Sequence, residues 1–190
     1  MTMHDEDIKL IVEALLVSHD EPLSIERLLD VFPESEKPRQ EQVRAVLDAL
    51  SVDYQQHAFE LKEVASGFCL QTRVNYAHWI AQLNRERPAK YSHALLETLA
   101  VIAYRQPVTR AEIEEIRGVS INLTSLKTLI EREWVKVAGH RDVPGKPAVY
   151  VTTKVFLDYF NLKTIDELPE VMVFPDRESP QLNESVLPHV

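Results

Sequence analysis

The stretch Arg105–Ser120, RQPVTRAEIEEIRGVS, decides the fold. Thr109 and Glu112 have the spacing of a capping box, in which side chains and backbone N–H groups at a helix start satisfy one another. Ile113 and Ile116 follow at helical spacing. Gly118 suits the left-handed residue that ends such a helix. The stretch therefore reads as the first half of a helix-turn-helix. Upstream, Ser92 caps a helix whose inward face is Leu95, Leu96, Leu99 and Ile102. Downstream, Leu126, Leu129 and Ile130 mark a third helix. WVKVAGH (134–140) and AVYVTT (148–153) read as strands, joined by a loop in which Pro144-Gly145 fits the centre of a type II turn. Phe156, Leu157 and Phe160 lie on a closing helix. Three helices followed by a two-stranded hairpin form the winged-helix arrangement.

The same order is written earlier in the chain. EALLVSHDEPLSIE (13–26) parallels ETLAVIAYRQPVTRAE (97–112): an apolar helix end, a polar turn, Pro, an apolar residue, then Ser or Thr capping a new helix. Ile8, Ile11, Val12 and Leu15 mark the first helix, and Leu28, Leu29 and Phe32 the second, capped by Ser24. Val43, Val46, Leu47, Leu50 and Tyr54 mark the third. AFELKEV (58–64) and FCLQT (68–72) are strands around a Ser66-Gly67 turn, and a further helix spans about 75–83. Similarity at this long period indicates two copies of one small domain rather than a solenoid. The expected fold is mostly α with small β-hairpin wings (α+β), as tandem winged helix-turn-helix domains. Expected boundaries are 1–86, a linker at 87–92, a second domain at 93–168, and a mobile, acidic tail at 169–190, which has little to bury.

The 190 residues carry 21 Lys+Arg against 30 Asp+Glu, a net charge of −9. Residues 1–90 hold 10 basic against 16 acidic side chains, residues 91–160 hold 9 against 8, and residues 161–190 hold 2 against 6. No segment is a basic platform, and free DNA repels such a surface unless cations gather in one place. No stretch approaches the roughly 20 apolar residues of a membrane helix. The acidic start, MTMHDEDIKLIVEALL, lacks the order of a signal peptide, so a cytoplasmic location is expected. The single cysteine, Cys69, excludes a disulfide framework within the chain and is expected to be a buried thiol.

A DNA reader of this shape offers the outward face of its third helix to the major groove, where Arg, Lys, Asn or Gln meet base edges. Here those faces carry Thr124, Lys127, Thr128 and Glu131 in the second copy, and Glu41, Arg44, Asp48 and Ser51 in the first. Lys127 and Glu131 largely cancel. The first hairpin tip, VASGF, holds no cation. The second holds His140, Arg141 and Lys146 beside Asp142, readable as a phosphate contact or as a solvated turn. A DNA-binding transcriptional regulator with tandem winged helices thus stands as the alternative reading.

The apolar surface points elsewhere. Leu10, Ala14 and Val17 lie roughly opposite Ile8, Ile11 and Leu15, and a helix apolar on two sides is covered on two sides. A two-fold homodimer through the first domain is the expected cover; packing of the chain's own 75–85 helix, with Trp79 and Ile80, is the competing one. In the second domain Val101 and Tyr104 leave the inward face, with Arg105, Arg110 and Arg117 near them in sequence. Tyr and Arg are favoured interface anchors, which makes these five residues the candidate partner site. An i,i+4 pair of Arg110 with Glu114 is the bland reading, worth ~0.3–0.5 kcal/mol.

Nothing points to catalysis. His4, His19, His57, His78, His93, His140 and His189 stand at no metal-ligand spacing. There is no phosphate-binding Gly loop and no nucleophile motif, so no enzyme activity, metal or cofactor is expected.

LLETLAVIAYRQPVTRAEIEEIRGV (95–119), followed by LKTLIEREWVKVAGHRDVPGKPAVYVTTKVFLDYFNLKTIDELPEV (126–171), strongly resembles the segregation and condensation protein B family. IVEALLVSHDEPLSIERL (11–28) extends the resemblance, less specifically, to about residues 8–171. The resemblance implies a non-enzymatic subunit of the bacterial condensin-like complex. Such a subunit dimerises through its N-terminal winged helices and binds the kleisin, segregation and condensation protein A. The kleisin closes the ATPase heads of the SMC protein. No membrane and no small-molecule substrate are implied, and DNA is met indirectly or weakly. The chain departs from the family pattern in GVSINLTSLKTL (118–129), where Asn122 or Thr124 serves as cap of the third helix.

Overall fold

The computed structural model describes residues 4–84 and 91–170. Its buried side chains fall into two separate clusters, one before and one after residues 85–90.

In the first half, α1 (Asp5–Val17), α2 (Ile25–Leu29) and α3 (Gln40–Asp53) precede an antiparallel hairpin of β1 (Phe59–Val64) and β2 (Gly67–Thr72). α1 opens with Asp5, Glu6 and Asp7, where carboxylates offset the positive end of the helix dipole. Ser24 caps α2 by accepting from the Arg27 N–H. Ile8, Val12 and Leu16 of α1 meet Leu28 of α2 and Val43, Leu47 and Leu50 of α3. The hairpin closes this core through Phe68, whose N–H and C=O both pair with Leu23 at 2.9 Å. Gly67 makes that approach possible: its φ is +141°, and a side chain there would collide with the backbone of Leu23 and Ser24. Last comes α4 (Ala77–Asn84), after a single turn at Val74–Tyr76.

In the second half, α5 (His93–Arg105) is capped by Ser92. A two-residue strand, β3 (Val108–Thr109), leads into α6 (Arg110–Arg117), then α7 (Leu123–Glu131). β4 (Val135–His140), β5 (Ala148–Thr152) and α8 (Lys154–Tyr159) follow. β3 pairs with β5, making a three-stranded sheet of order β3-β5-β4; sequence reading missed this strand because two residues carry no period. The Gln106–Pro107 peptide is cis. The capping box of Thr109 and Glu112 is present, and Gly118 ends α6 at φ 68°. Asn122, rather than Thr124, caps α7 by accepting from the Thr124 N–H. Lys146 N–H bonds Val143 C=O across Pro144 and Gly145, the latter at φ 88°. Leu99, Ile102, Ile113, Leu129, Trp134 and Phe156 build this core.

Four inward assignments fail. Leu96, Ile130 and Phe160 are exposed: the first two stand one position past the buried Leu95 and Leu129, and Phe160 ends α8 at the rim, its ring only edging Trp134 and Phe156. Cys69 is half-buried on β2, not enclosed, because it alternates with Phe68 and Leu70, which take the core face of the hairpin; burial still pushes its thiol up. The expected linker lies largely outside the described residues, and so does nearly all of the expected tail.

The halves also touch. Ala65 N–H donates to Leu162 C=O at 3.0 Å and Ser66 N–H to the Asp158 carboxylate at 2.9 Å. Glu63 lies 2.5 Å from Lys163 and 2.7 Å from Arg44. Those cations, Arg44 first, hold the Glu63 carboxyl below its ordinary range. The hairpin tip that lacks any cation for a phosphate is thus used inside the chain.

Candidate functional site

The outer face of α1 is a built feature. Ile8, Val12 and Leu16 point into the core, so the 3.6-residue repeat turns Leu10, Ala14 and Val17 outward. Leu10 is 58% exposed and Val17 70%. Beside Val17 an open groove of about 320 Å³ is lined by Leu16, Phe59 and Leu70. Lys9 and Asp53 pair at 2.6 Å along one edge of α1. On the same helix Glu13 accepts from the Tyr54 hydroxyl at 2.6 Å. Burial first, and then this bond, push the Tyr54 hydroxyl upward. The competing cover is not there: every described side chain of α4, Ala77 to Leu83, is exposed, Trp79 and Ile80 included.

The five candidate residues of the second half are brought near one another but not all left free. Tyr104 is exposed along its ring, yet its hydroxyl donates to Pro169 C=O at 2.7 Å. Val101 is half-buried, and the segment after α8 packs on the same core through Leu162, Ile165 and Leu168. Arg110 makes the bland pair after all, 2.9 Å from Glu114, and also donates to Ile121 C=O. Arg117 is the clearest correction. Its side chain is only 8% exposed, 2.8 Å from Glu97 and 3.1 Å from the Thr98 hydroxyl. It ties α6 to α5, the guanidinium on the last turn of α6 reaching across to buried Thr98. Its Nε is buried without a hydrogen-bond partner among the described residues. Arg105 is exposed and makes no ion pair among the described residues.

Sequence reading missed a further patch. Ile116, Val119 and Leu123 are exposed around the turn from α6 to α7. Ile116 shares the spacing of fully buried Ile113, and no signal short of the tertiary fold separates the two.

The cationic hairpin tip is spent in part. His140, Arg141, Asp142 and Lys146 cluster there, but Arg141 is paired with Glu112 at 2.9 Å. Glu112 is held below its ordinary range, first by the Thr109 backbone N–H, then the Thr109 hydroxyl, with Arg141 adding less. On α7, Lys127 and Glu131 pair at 3.5 Å. Among the described residues no cluster of His, Cys, Asp or Glu could hold a metal, and no helix is long and apolar enough to cross a membrane.

Comparison with known proteins agrees with the motifs. The sequence model of the segregation and condensation complex subunit ScpB family matches residues 10–171. The segregation and condensation protein B homolog of Coxiella burnetii is 47% identical over 176 residues, covering 93% of this chain and 84% of that protein. Segregation and condensation protein B of Geobacillus thermodenitrificans is 44% identical, covering 88% of this chain and 80% of its own length. Among solved structures, ScpB from Mycobacterium tuberculosis is 30% identical, covering 85% of this chain and 99% of that one, with a TM-score of 0.40.

Proposed function

This chain belongs to the segregation and condensation complex subunit ScpB family, and from that premise we propose that it is a non-enzymatic adaptor acting at the nucleoid in the cytoplasm. It dimerises through its first half and binds the kleisin ScpA, and through ScpA the SMC protein, to support chromosome condensation and segregation. Each half is read as a winged helix-turn-helix domain whose DNA-reading surface has been given over to protein contact.

One observation carries the reading. Apolar side chains stay in water on faces that each core leaves over, Leu10 and Val17 on α1 and Ile116, Val119 and Leu123 around the α6–α7 turn, while Lys127 on the third helix and Arg141 on the hairpin, two cations that a groove reader would use, are already paired. Exposed apolar patches of this kind mark protein contacts, and paired cations release few counterions from DNA. In the second half the kleisin would meet Val101, Tyr104 and Arg105, joined by Ile116 and Leu123. Arg110 and Arg117 support that surface from behind.

Co-purification of the full chain with a central kleisin segment, with the mass of the complex read by light scattering, tests this. A dimer that carries the kleisin, weakened by Leu123→Asp, is the expected outcome. A monomer that ignores the kleisin and binds duplex DNA with a steep salt dependence overturns it in favour of the regulator.

A further inference from the structure

We propose that the tip of the first hairpin and the turn after α8 form a latch: closed, it holds the two halves as one body, and raised ionic strength opens it. The inference stands on the contacts between the halves and does not rest on the adaptor reading.

The hairpin tip offers donors that its own strands do not use. Val64 pairs with Gly67, so Ala65 and Ser66 are the two turn residues, outside the ladder. Their N–H groups still need acceptors, and both find them in the other half. Ala65 donates to Leu162 C=O at 3.0 Å and Ser66 to the Asp158 carboxylate at 2.9 Å. The receiving turn is built for this. Asn161 takes a left-handed φ of 58°, a conformation Asn tolerates, and Leu162 N–H returns to Leu157 C=O at 2.8 Å. That closes the end of α8 in the manner of a Schellman turn. Asp158 would otherwise be misplaced. It stands on the last turn of α8, where the helix dipole disfavours a carboxylate, and the Ser66 N–H is the partner that suits it there.

Two side-chain contacts flank these bonds. The Gln71 amide donates to the Asn161 side chain at 3.1 Å. Glu63 is shared between the halves, 2.7 Å from Arg44 on its own side and 2.5 Å from Lys163 across the gap. Every one of these groups is polar. The two apolar clusters share no residue, and each draws only on its own half. Halves without a large apolar interface move relative to one another by default, so these polar contacts decide whether they do. The Lys163 side chain is about half exposed, and salt screens an ion pair of that kind. The contact therefore weakens with ionic strength while each half keeps its own core.

The test uses full chains with Cys69→Ser as background. Spin labels are placed at Ser51→Cys on α3 and Ser120→Cys after α6, both exposed. Labelled chain is diluted into an excess of unlabelled chain, so that pulsed electron spin resonance reads only distances within one chain. At low salt one narrow distance distribution is expected. Asp158→Lys, whose charge suits the end of α8, is expected to leave circular dichroism unchanged and to lower the ratio of closed to open chains at least ~10-fold, as losing a hydrogen bond to a charged group does. Lys163→Glu is expected to lower it by a smaller factor, roughly 3-fold, because that pair is exposed, while Lys163→Arg keeps the narrow distribution. Salt at about 1 M, where charges reach only about 3 Å, is expected to shift the parent chain toward the open distribution. A broad distribution in the parent chain at low salt overturns the latch. So does a closed-to-open ratio that neither charge reversal moves, and so does one that salt leaves unchanged.

Discussion

The first helix of each half has the same outer face with opposite fates. The buried positions Ile8, Val12 and Leu16 of α1 match Leu95, Leu99 and Ala103 of α5. Leu10, Ala14 and Val17 therefore correspond to Glu97, Val101 and Tyr104. In α5 the chain itself attends to that face: Arg117 pairs with Glu97, Val101 is half-buried, and the Tyr104 hydroxyl reaches Pro169. In α1 all three positions are in water. One helix pattern was thus used twice, once closed in cis and once left exposed. A repeated sequence pattern carries no information about which copy is covered, because the cover comes from segments outside the pattern.

The largest expected effect separates the halves by how tightly their turns are built. Gly67→Ala forces a side chain into the Leu23–Ser24 backbone, whereas the space around Gly118 is open. Urea denaturation should show a loss of ~3–5 kcal/mol for Gly67→Ala and only ~1 kcal/mol for Gly118→Ala, from its left-handed φ. Equal losses would mean the first hairpin does not lie against Leu23.

Next comes the outer face itself. Arg117→Ala should cost ~1–3 kcal/mol, since it strips a buried stem and two hydrogen bonds from α5. Leu10→Ala at the equivalent face of α1 should change subunit stability by no more than ~0.5 kcal/mol, while loosening self-association in light scattering. If Leu10→Ala destabilises the isolated subunit as much as Arg117→Ala does, the contrast between covered and bare faces is wrong.

The smallest effect is electrostatic. Glu63 and Glu112 both have folded carboxyls held below their ordinary range. Each therefore adds stability above the unfolded value of about 4.3, and that stability is lost as pH falls through the lower folded value. The main causes differ: Arg44 for Glu63, the Thr109 backbone N–H for Glu112. Salt screens the first and hardly touches the second. Urea midpoints taken from pH 6 to pH 3, with and without added salt, should show Glu63→Gln losing its effect in salt while Glu112→Gln keeps it.

Much of this was legible along the chain. Caps at Ser24, Ser92 and Thr109, the left-handed Gly118 and the Pro144-Gly145 turn are local devices, each decided by groups within a few residues. The apolar periods of α1, α3 and α5 located both cores for the same reason. The candidate site was legible only in part. Leu10, Ala14 and Val17 stood out because a second stripe on one helix is itself a sequence signal. Arg117 did not betray its burial, since an arginine after Glu114-Glu115 looks solvated until α5 is placed beside it. Ile116 shares the helical spacing of buried Ile113, and nothing local marks Val119 or Leu123 as exposed.

Amino-acid order alone determined all the longer elements, their capping and the doubling of the pattern, which depend on short-range sterics, hydrogen bonding and hydrophobic spacing, and its motifs carried the family resemblance. Tertiary structure alone decided which outward faces stay open: that Arg117 is enclosed, that Pro169 lies at Tyr104, and that Trp79 and Leu83 are exposed among the described residues. Exposure is a property of what lies across a gap, and residues far apart in the chain supply it.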